Sequence, residues 1–351
     1  MPLSKIQGIE GQVIANVGRR NMIINGDMRI AQRGTSGTPT DTFVSLDRFR
    51  GRTYGGSGRY TMEQVSGGNG GVNVPNGEFP YAMKLTVTTP SSSIDGYDYS
   101  IAQTIEGDTF TKMGWGRNET SEVLKSCTVS FLMKTSVAGV YSVSLRSSGA
   151  GRSIVKETPS ITADTWTKVV LTFVGDSNVS WRSLGNGDGC IFEINLGRSN
   201  TKNTSTLDVH QSGNKVASNN QVRWIGTNSA TFFLTGLQIE EGTSATEFEH
   251  RSIGEELALC QRYYYQMEHN TARRFGVDGL YSNGTGAGLN IMFTHPVPMR
   301  AAPTVTPGSA MGGTTSFSNT ENHIYMSTTG HSTGRVGVET SSGTTTVAAE
   351  L

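Results

Sequence analysis

The chain has 351 residues, with 29 Lys and Arg balanced by 29 Asp and Glu, and it carries 44 Gly, 37 Ser and 43 Thr. Turn formers and β-branched Thr at this density argue for a loop-rich β protein and against a helical bundle or coiled coil. The missing Gly-X-Y period excludes collagen, and zero net charge provides no global field for nucleic acid or an anionic membrane.

Residues 1–17 place Leu3, Ile6, Ile9, Val13, Ile14 and Val17 at near-helical spacing, interrupted by Gly8 and Gly11. A segment this short cannot hold a helix alone, so it is expected to fray or to dock on another surface. It lacks the apolar run of a signal peptide, and no later run approaches the ~20 residues that span a bilayer, which suggests a soluble product made in a cytoplasm. From Arg20 to Gly34 the chain reads as a short apolar strand, an Asn25-Gly26 turn and a second strand, since Asn-Gly readily takes positive φ.

Onward to about Glu249, strand candidates alternate with Gly/Ser/Asn/Asp loops. The clearest are 81–88, 99–105, 127–135, 140–145, 165–174, 190–196 and 232–239. Several have a period of two, as in Thr128 to Met133 and Val140 to Leu145, so one face meets a core and the other meets water. Many short strands without intervening helices predict an antiparallel sandwich of jelly-roll type.

One segment differs. Ile253, Leu257, Cys260, Tyr264 and Met267 share a helical stripe, and Ser252 with Glu255 has capping-box spacing, so a single connecting helix is expected over 252–268. Beyond it, 269–351 reads as a second, smaller β domain. Pro296, Pro298, Pro303 and Pro307 confine their stretch to edges and turns. Residues 301–351 hold 12 Thr, 7 Ser and 7 Gly, so this tail is expected either to pack on copies of itself or to be partly mobile.

Enzyme signatures are absent from the chain. The six histidines form no H-x-x-x-H or H-E-x-x-H pair, and no G-x-S-x-G elbow, P-loop or dinucleotide fingerprint occurs. Cys127, Cys190 and Cys260 are too far apart for a CxxC metal site and too few for a disulfide framework, and read as buried thiols. No cofactor is implied. Two acidic loops, one with Asp95 and Asp98 and one with Asp188, have the glycines and oxygens of a structural Ca²⁺ site, although each also reads as a plain turn. Between Arg19 and Arg59 eight arginines face three aspartates, which suits either a docking surface for an acidic partner or a set of locally paired side chains.

Aromatic rings in polar loops grip sugars, because a flat ring covers the apolar face of a pyranose while neighbours bond its hydroxyls. Tyr97, Tyr99, Trp115 and Trp181 are the candidates, each also readable as core. Trp166, Trp224 and Phe248 read as core or edge-packing residues.

The run Asn21 to Gly34, followed by Leu46-Asp47-Arg48-Phe49, resembles the N-x-I-x-N-G … Q-R-G … D-R-W or D-R-F opening of carbohydrate-binding-module-like jelly rolls in bacteriophage tail fibres and related virion proteins. The stretches Thr235 to Glu249 and Glu256 to Tyr264 are similar to the end of that module, and Pro296 to Val305 to the segment that often follows. The resemblance implies a virion protein with three parts: a docking segment over 1–20, with Leu3, Ile6, Ile9, Val13 and Ile14 meeting other tail or capsid proteins; a jelly roll over 21–251; and the helix leading to a distal β domain. It implies a homotrimeric fibre subunit that adheres to host surface polysaccharide. A non-adhesive capsid, neck or tail component is the alternative, and a polysaccharide depolymerase a third reading. Within the landmarks, Asn25, Gly26, Gln32, Arg33, Asp47 and Arg48 read as structural, a turn and a buried polar cluster in which Asp47 pairs with an arginine.

Overall fold

The computed structural model describes residues 19–66, 73–91, 98–116, 124–181, 185–197, 200–269, 280–282, 287–307, 314–331, 334–336 and 343–351. Among the described residues fourteen strands precede the helix at Ile253–Gln261, with one helical turn, Gly107–Phe110, between the fifth and sixth: β1 (Ser36–Gly37), β2 (Arg50–Tyr54), β3 (Arg59–Ser66), β4 (Tyr81–Thr89), β5 (Asp98–Glu106), β6 (Cys127–Thr135), β7 (Ser142–Ser147), β8 (Arg152–Glu157), β9 (Thr167–Phe173), β10 (Asp188–Gly197), β11 (Asn203–Thr204), β12 (Gln211–Ser212), β13 (Ala217–Ser218) and β14 (Thr231–Glu241). Twelve of them form two six-stranded antiparallel sheets, ordered β1-β3-β4-β14-β6-β9 and β12-β8-β7-β10-β5-β2. This is the expected jelly-roll sandwich.

The period of two in the sequence accounts for the layers. On β6, Val129, Phe131 and Met133 are buried in the core, while Leu132 and Lys134 on the opposite face are half-exposed. The same inward face recurs as Val143 and Leu145 on β7, Phe192 and Ile194 on β10, and Phe232 and Leu234 on β14. Each large side chain so buried contributes roughly 1.5–3 kcal/mol of transfer free energy.

The Asn21–Gly34 segment departs from the predicted hairpin. Asn25 does take a positive φ of 62°, but no strand flanks it. Its side chain substitutes for the ladder: Nδ2 donates to the carbonyls of Ile30 (2.8 Å) and Asp47 (3.1 Å), and Oδ1 accepts from the Ile30 amide (2.9 Å). The segment lies against β14 through Met22 N to Ile239 O and Leu237 N to Gly26 O. Gly26 is required there, because a Cβ would sit 2.2 Å from the Leu237 carbonyl oxygen.

The helix is shorter than predicted, Ile253–Gln261. Ser252 Oγ accepts from the Glu255 amide at 3.2 Å, whereas the Glu255 carboxylate turns to Arg19. Tyr264 and Met267 leave the helical stripe because Tyr264–His269 (β15) pairs along its whole length with β22 (Gly343–Ala348). The strands that follow the helix therefore begin at Tyr264. The others are β16 (Leu280–Ser282), β17 (Ala287–Thr294), β18 (Thr304–Thr306), β19 (Thr314–Asn319), β20 (His323–His331) and β21 (Gly334–Val336), giving sheets ordered β15-β22-β18 and β17-β20-β19 and the pair β16-β21. Tyr265, Met299, Ile324, Val347 and Ala349 form a small core of their own, so the described part of the Thr-rich tail packs within this chain.

Candidate functional site

The landmark residues meet where the sandwich contacts the segment after the helix and Glu350. Asp47 accepts from the Gln32 backbone amide at 2.9 Å and from the Gln32 side chain. Burial raises its pKa to about 6, against the lowering effect of Gln32 and Arg33. The closest carboxylate to the two arginines is not Asp47, which lies 3.9 Å from Arg33, but Glu350. Glu350 binds Arg33 at 2.9 Å through one oxygen and Arg48 through the other. Arg33 also stacks on Tyr264 (3.5 Å to the ring centre) and Arg48 on Tyr263 (3.4 Å). Arg262 and Tyr263 in turn bind Glu106 at the end of β5. Separated stretches thus form one clasp around the penultimate residue, a structural role, with Glu350 as the member the sequence reading missed.

The early arginines are likewise engaged internally. Arg29 pairs with Asp27, Arg50 with Asp41, and Arg52 lies between Asp41, Asp98 and Glu193. The local-pairing reading holds, which leaves no described arginine cluster facing an acidic partner.

Three of the four predicted sugar-stacking rings are interior. Tyr99 is 1% exposed, Trp115 4% and Trp181 1%, so none offers its face to a ligand. Trp115 and Trp181 pack edge to face at 4.8 Å, with Phe110 and His210 completing the cluster. Their polar edges are satisfied inside: Trp115 Nε1 donates to Lys125 O and Trp181 Nε1 to Asp176 Oδ2. Tyr97 lies outside the described residues, as do Asp95 and the proposed docking positions Leu3, Ile6, Ile9, Val13 and Ile14.

Asp98 is unsuited to calcium. It is buried on the β5 face away from the core, with Lys202 Nζ at 2.9 Å and Arg52 at 3.7 Å, so two cations already occupy its field. Burial and neighbouring Glu193 raise its pKa, while Arg146 and Arg52 hold the equally buried Glu193 low against the cost of burial. In the Asp188 loop, the carbonyls of Gly185 and Gly187 accept from Asp108 and Gly107. No group of three His, Cys, Asp or Glu among the described residues is arranged to hold a metal.

A concave site lies instead on the outer face of the first sheet. A cavity of about 370 Å³ is lined by Phe79, Phe248, His250, Glu78, Glu247 and Lys168, with a floor from Ser130, Leu132 and Gly236. The size falls within the ~300–1,000 Å³ of small-molecule pockets. Phe79 and Phe248 meet edge to face at 5.0 Å, and His250 lies 5.0 Å from Phe248 and 5.7 Å from Phe79.

The local sequence explains why this site exists. The β14–β6 register slips between Thr235 and Gln238, and Gly236 at the slip has φ 62°. A Cβ there would lie 2.6 Å from Phe79, so glycine both permits the bulge and admits the ring. Buried Gln238 and Glu240 then hold the following loop: Gln238 Oε1 accepts from Glu249 N at 2.9 Å, and Glu240 accepts from Thr246 N at 2.8 Å and its hydroxyl at 2.7 Å. The Thr235–Glu249 landmark therefore supplies one wall of the pocket. Phe248, expected as edge packing, is half-exposed there.

No known family profile and no curated protein matches the chain. Among solved structures it is similar to an arabinose-bound GH51 α-L-arabinofuranosidase (9% identity, TM-score 0.34), covering 64% of this chain but 27% of that one. It is also similar to TmCBM61 in complex with β-1,4-galactotriose (14% identity, TM-score 0.30, covering 64% of this chain and 99% of that one). The CBM22-1 xylan-binding domain of Paenibacillus barcinonensis Xyn10C is a further likeness (11% identity, TM-score 0.29, covering 62% and 100%). At these scores the fold assignment rests on this chain's own strand order.

Proposed function

We propose that this protein is a non-catalytic carbohydrate-binding protein whose sugar site is the Phe79–Phe248 pocket. The observation that carries the reading is the chemistry of that pocket: the half-exposed ring of Phe248, backed by the buried Phe79, to cover a pyranose face, beside carboxylates of Glu78 and Glu247 to accept from its hydroxyls and an ammonium from Lys168 to donate to them. The resemblance of the landmarks extends the proposal to a setting. The chain would serve as a subunit of a bacteriophage tail fibre, trimeric and attached through residues 1–20, where weak contacts to host glycans are multiplied by several copies held together.

A glycan array with purified protein tests the first part, and Phe248→Ala is expected to abolish the signal while leaving the fold intact. Particle adsorption tests the second: excess protein should compete with intact virions for host cells. A second reading, a virion component without sugar affinity, is favoured by one observation, that Gln32, Arg33, Asp47 and Arg48 are all used in the clasp around Glu350. It predicts a blank array and no competition.

A further inference from the structure

The pocket does not end at its rim. Leu132 and Lys168, which line it, are cross-strand neighbours on β6 and β9. Two residues further along β6, a pleat repeat of roughly 7 Å on the same face, stands Lys134, and two residues before Lys168, just ahead of β9, stands Trp166. Phe233 of β14 is paired with Lys134 and points away from the core that buries Phe232 and Leu234. Trp166 and Phe233 have ring centres 6.2 Å apart, and the Lys134 ammonium lies 4.7 Å from the Phe233 centre and 5.5 Å from that of Trp166. All three side chains are half-exposed. This is a second ring platform, contiguous with the first.

Charge divides the two parts. Glu78 and Glu247 stand among the pocket residues with the Phe79–Phe248 rings, whereas Lys168 and Lys134 line the path from pocket to platform. Lys84, in the next strand, is neutralised by Glu63 at 3.3 Å. Lys134 and Lys168 have no ion pair among the described residues, and an ammonium beside ring faces is a strong donor to an incoming anion.

We infer that the pocket and the Trp166–Phe233 platform are consecutive subsites for one extended acidic polysaccharide, with one sugar ring in the pocket and a neighbouring carboxylate- or phosphate-bearing unit over the platform, paired with Lys134 and Lys168. This rests on the carbohydrate reading above and adds chain length and charge to it. A single neutral sugar in the pocket would leave the platform and the Lys134 ammonium unused.

The test is calorimetric titration of the full chain with a ladder of uronate oligosaccharides of increasing length and a matching neutral ladder, alongside a glycan array that includes phosphate-bearing polymers. Wild-type affinity should rise about tenfold once the acidic oligomer is long enough to reach the platform, as a ring contact plus an ion pair implies. That gain should shrink with added salt. Trp166→Ala should remove the gain and retain binding of the shortest sugar, which also reports that the variant folds. Lys134→Gln, a surface change, should erase the preference for acidic over neutral chains, and carries the test if Trp166→Ala does not fold. Equal affinity for both ladders, or a length gain that survives both substitutions, overturns this inference and leaves carbohydrate binding standing. Wild-type protein that binds no saccharide in either assay overturns both.

Discussion

Removing the Glu350 carboxylate is the sharpest way to test the clasp. Arg48 is 1% exposed and has Glu350 as its carboxylate partner, so Glu350→Ala leaves a guanidinium in the interior without a counter-ion. Breaking a buried pair from one side costs roughly 3–5 kcal/mol. Here two contacts survive, the Arg48 bond to the Thr104 carbonyl at 2.7 Å and its stacking on Tyr263, and the Glu350 side chain is itself 12% exposed. The expected loss is therefore about 2–3 kcal/mol. Urea unfolding read by tryptophan fluorescence reports on the sandwich, which contains all four tryptophans, while limited proteolysis reports on release of the strands that follow the helix. Pairing the change with Arg48→Met should recover much of the loss, with a coupling energy of about 2 kcal/mol, because the stranded charge is then absent. A loss of less than about 0.5 kcal/mol for Glu350→Ala, the scale of a surface ion pair, would refute the clasp.

Other expectations follow from single positions. The raised pKa of Asp47, about 6 against the ordinary 3.8, means that the folded state holds its proton more tightly than the unfolded chain. Its contribution is then full below pH ~4 and is lost as pH rises through 6, a span corresponding to about 3 kcal/mol; Asp47→Asn should flatten that part of the urea-midpoint profile. Gly236→Ala combines a left-handed backbone with a Cβ 2.6 Å from a ring, and should cost about 1–3 kcal/mol in unfolding experiments while also deforming the pocket. All three cysteines are buried, and burial pushes the Cys127 thiol up to about 12, so an aromatic disulfide reagent should label none in the native protein and all three after denaturation.

The sandwich was legible because its strands announce themselves through alternation. Cys127–Thr135 was expected residue for residue, and 81–88, 99–105 and 232–239 fall within one or two residues of β4, β5 and β14. Besides the two-residue strands β1, β11, β12 and β13, the sandwich strands outside those expectations, β2, β3 and β8, carry Arg, Gly and Glu among few apolar residues, and owe their pairing to neighbours rather than to their own pattern. The helix was found from its cap and overextended at its other end. A helical stripe can continue through Tyr264 and Met267 on paper, but the partner that converts them into a strand, Gly343–Ala348, lies some eighty residues away.

The site was harder to read for a different reason. Tryptophans in polar loops advertise a sugar platform, yet Trp115 and Trp181 are large enough to fill the end of the sandwich and find acceptors there for both indole N–H groups. Burial of two such rings is worth more to a β sandwich than their exposure in a loop. Phe248 has no polar edge and follows a loop with little apolar company, so local reading assigns it to packing, whereas its half-exposed face depends on the bulge at Gly236 and on Gln238 and Glu240 holding residues 246–249 in place. Those two buried side chains make the pocket a consequence of the strand that ends the sandwich. Gln238→Leu accordingly should leave the core intact, since Leu237 and Ile239 still face inward, yet free the loop that carries Glu247 and Phe248. The expected result is faster proteolysis within 242–250 and loss of glycan signal at a stability cost of about 1–2 kcal/mol. Unchanged binding with a loosened loop would mean that the rings of Phe79 and Phe248 are not where the ligand sits.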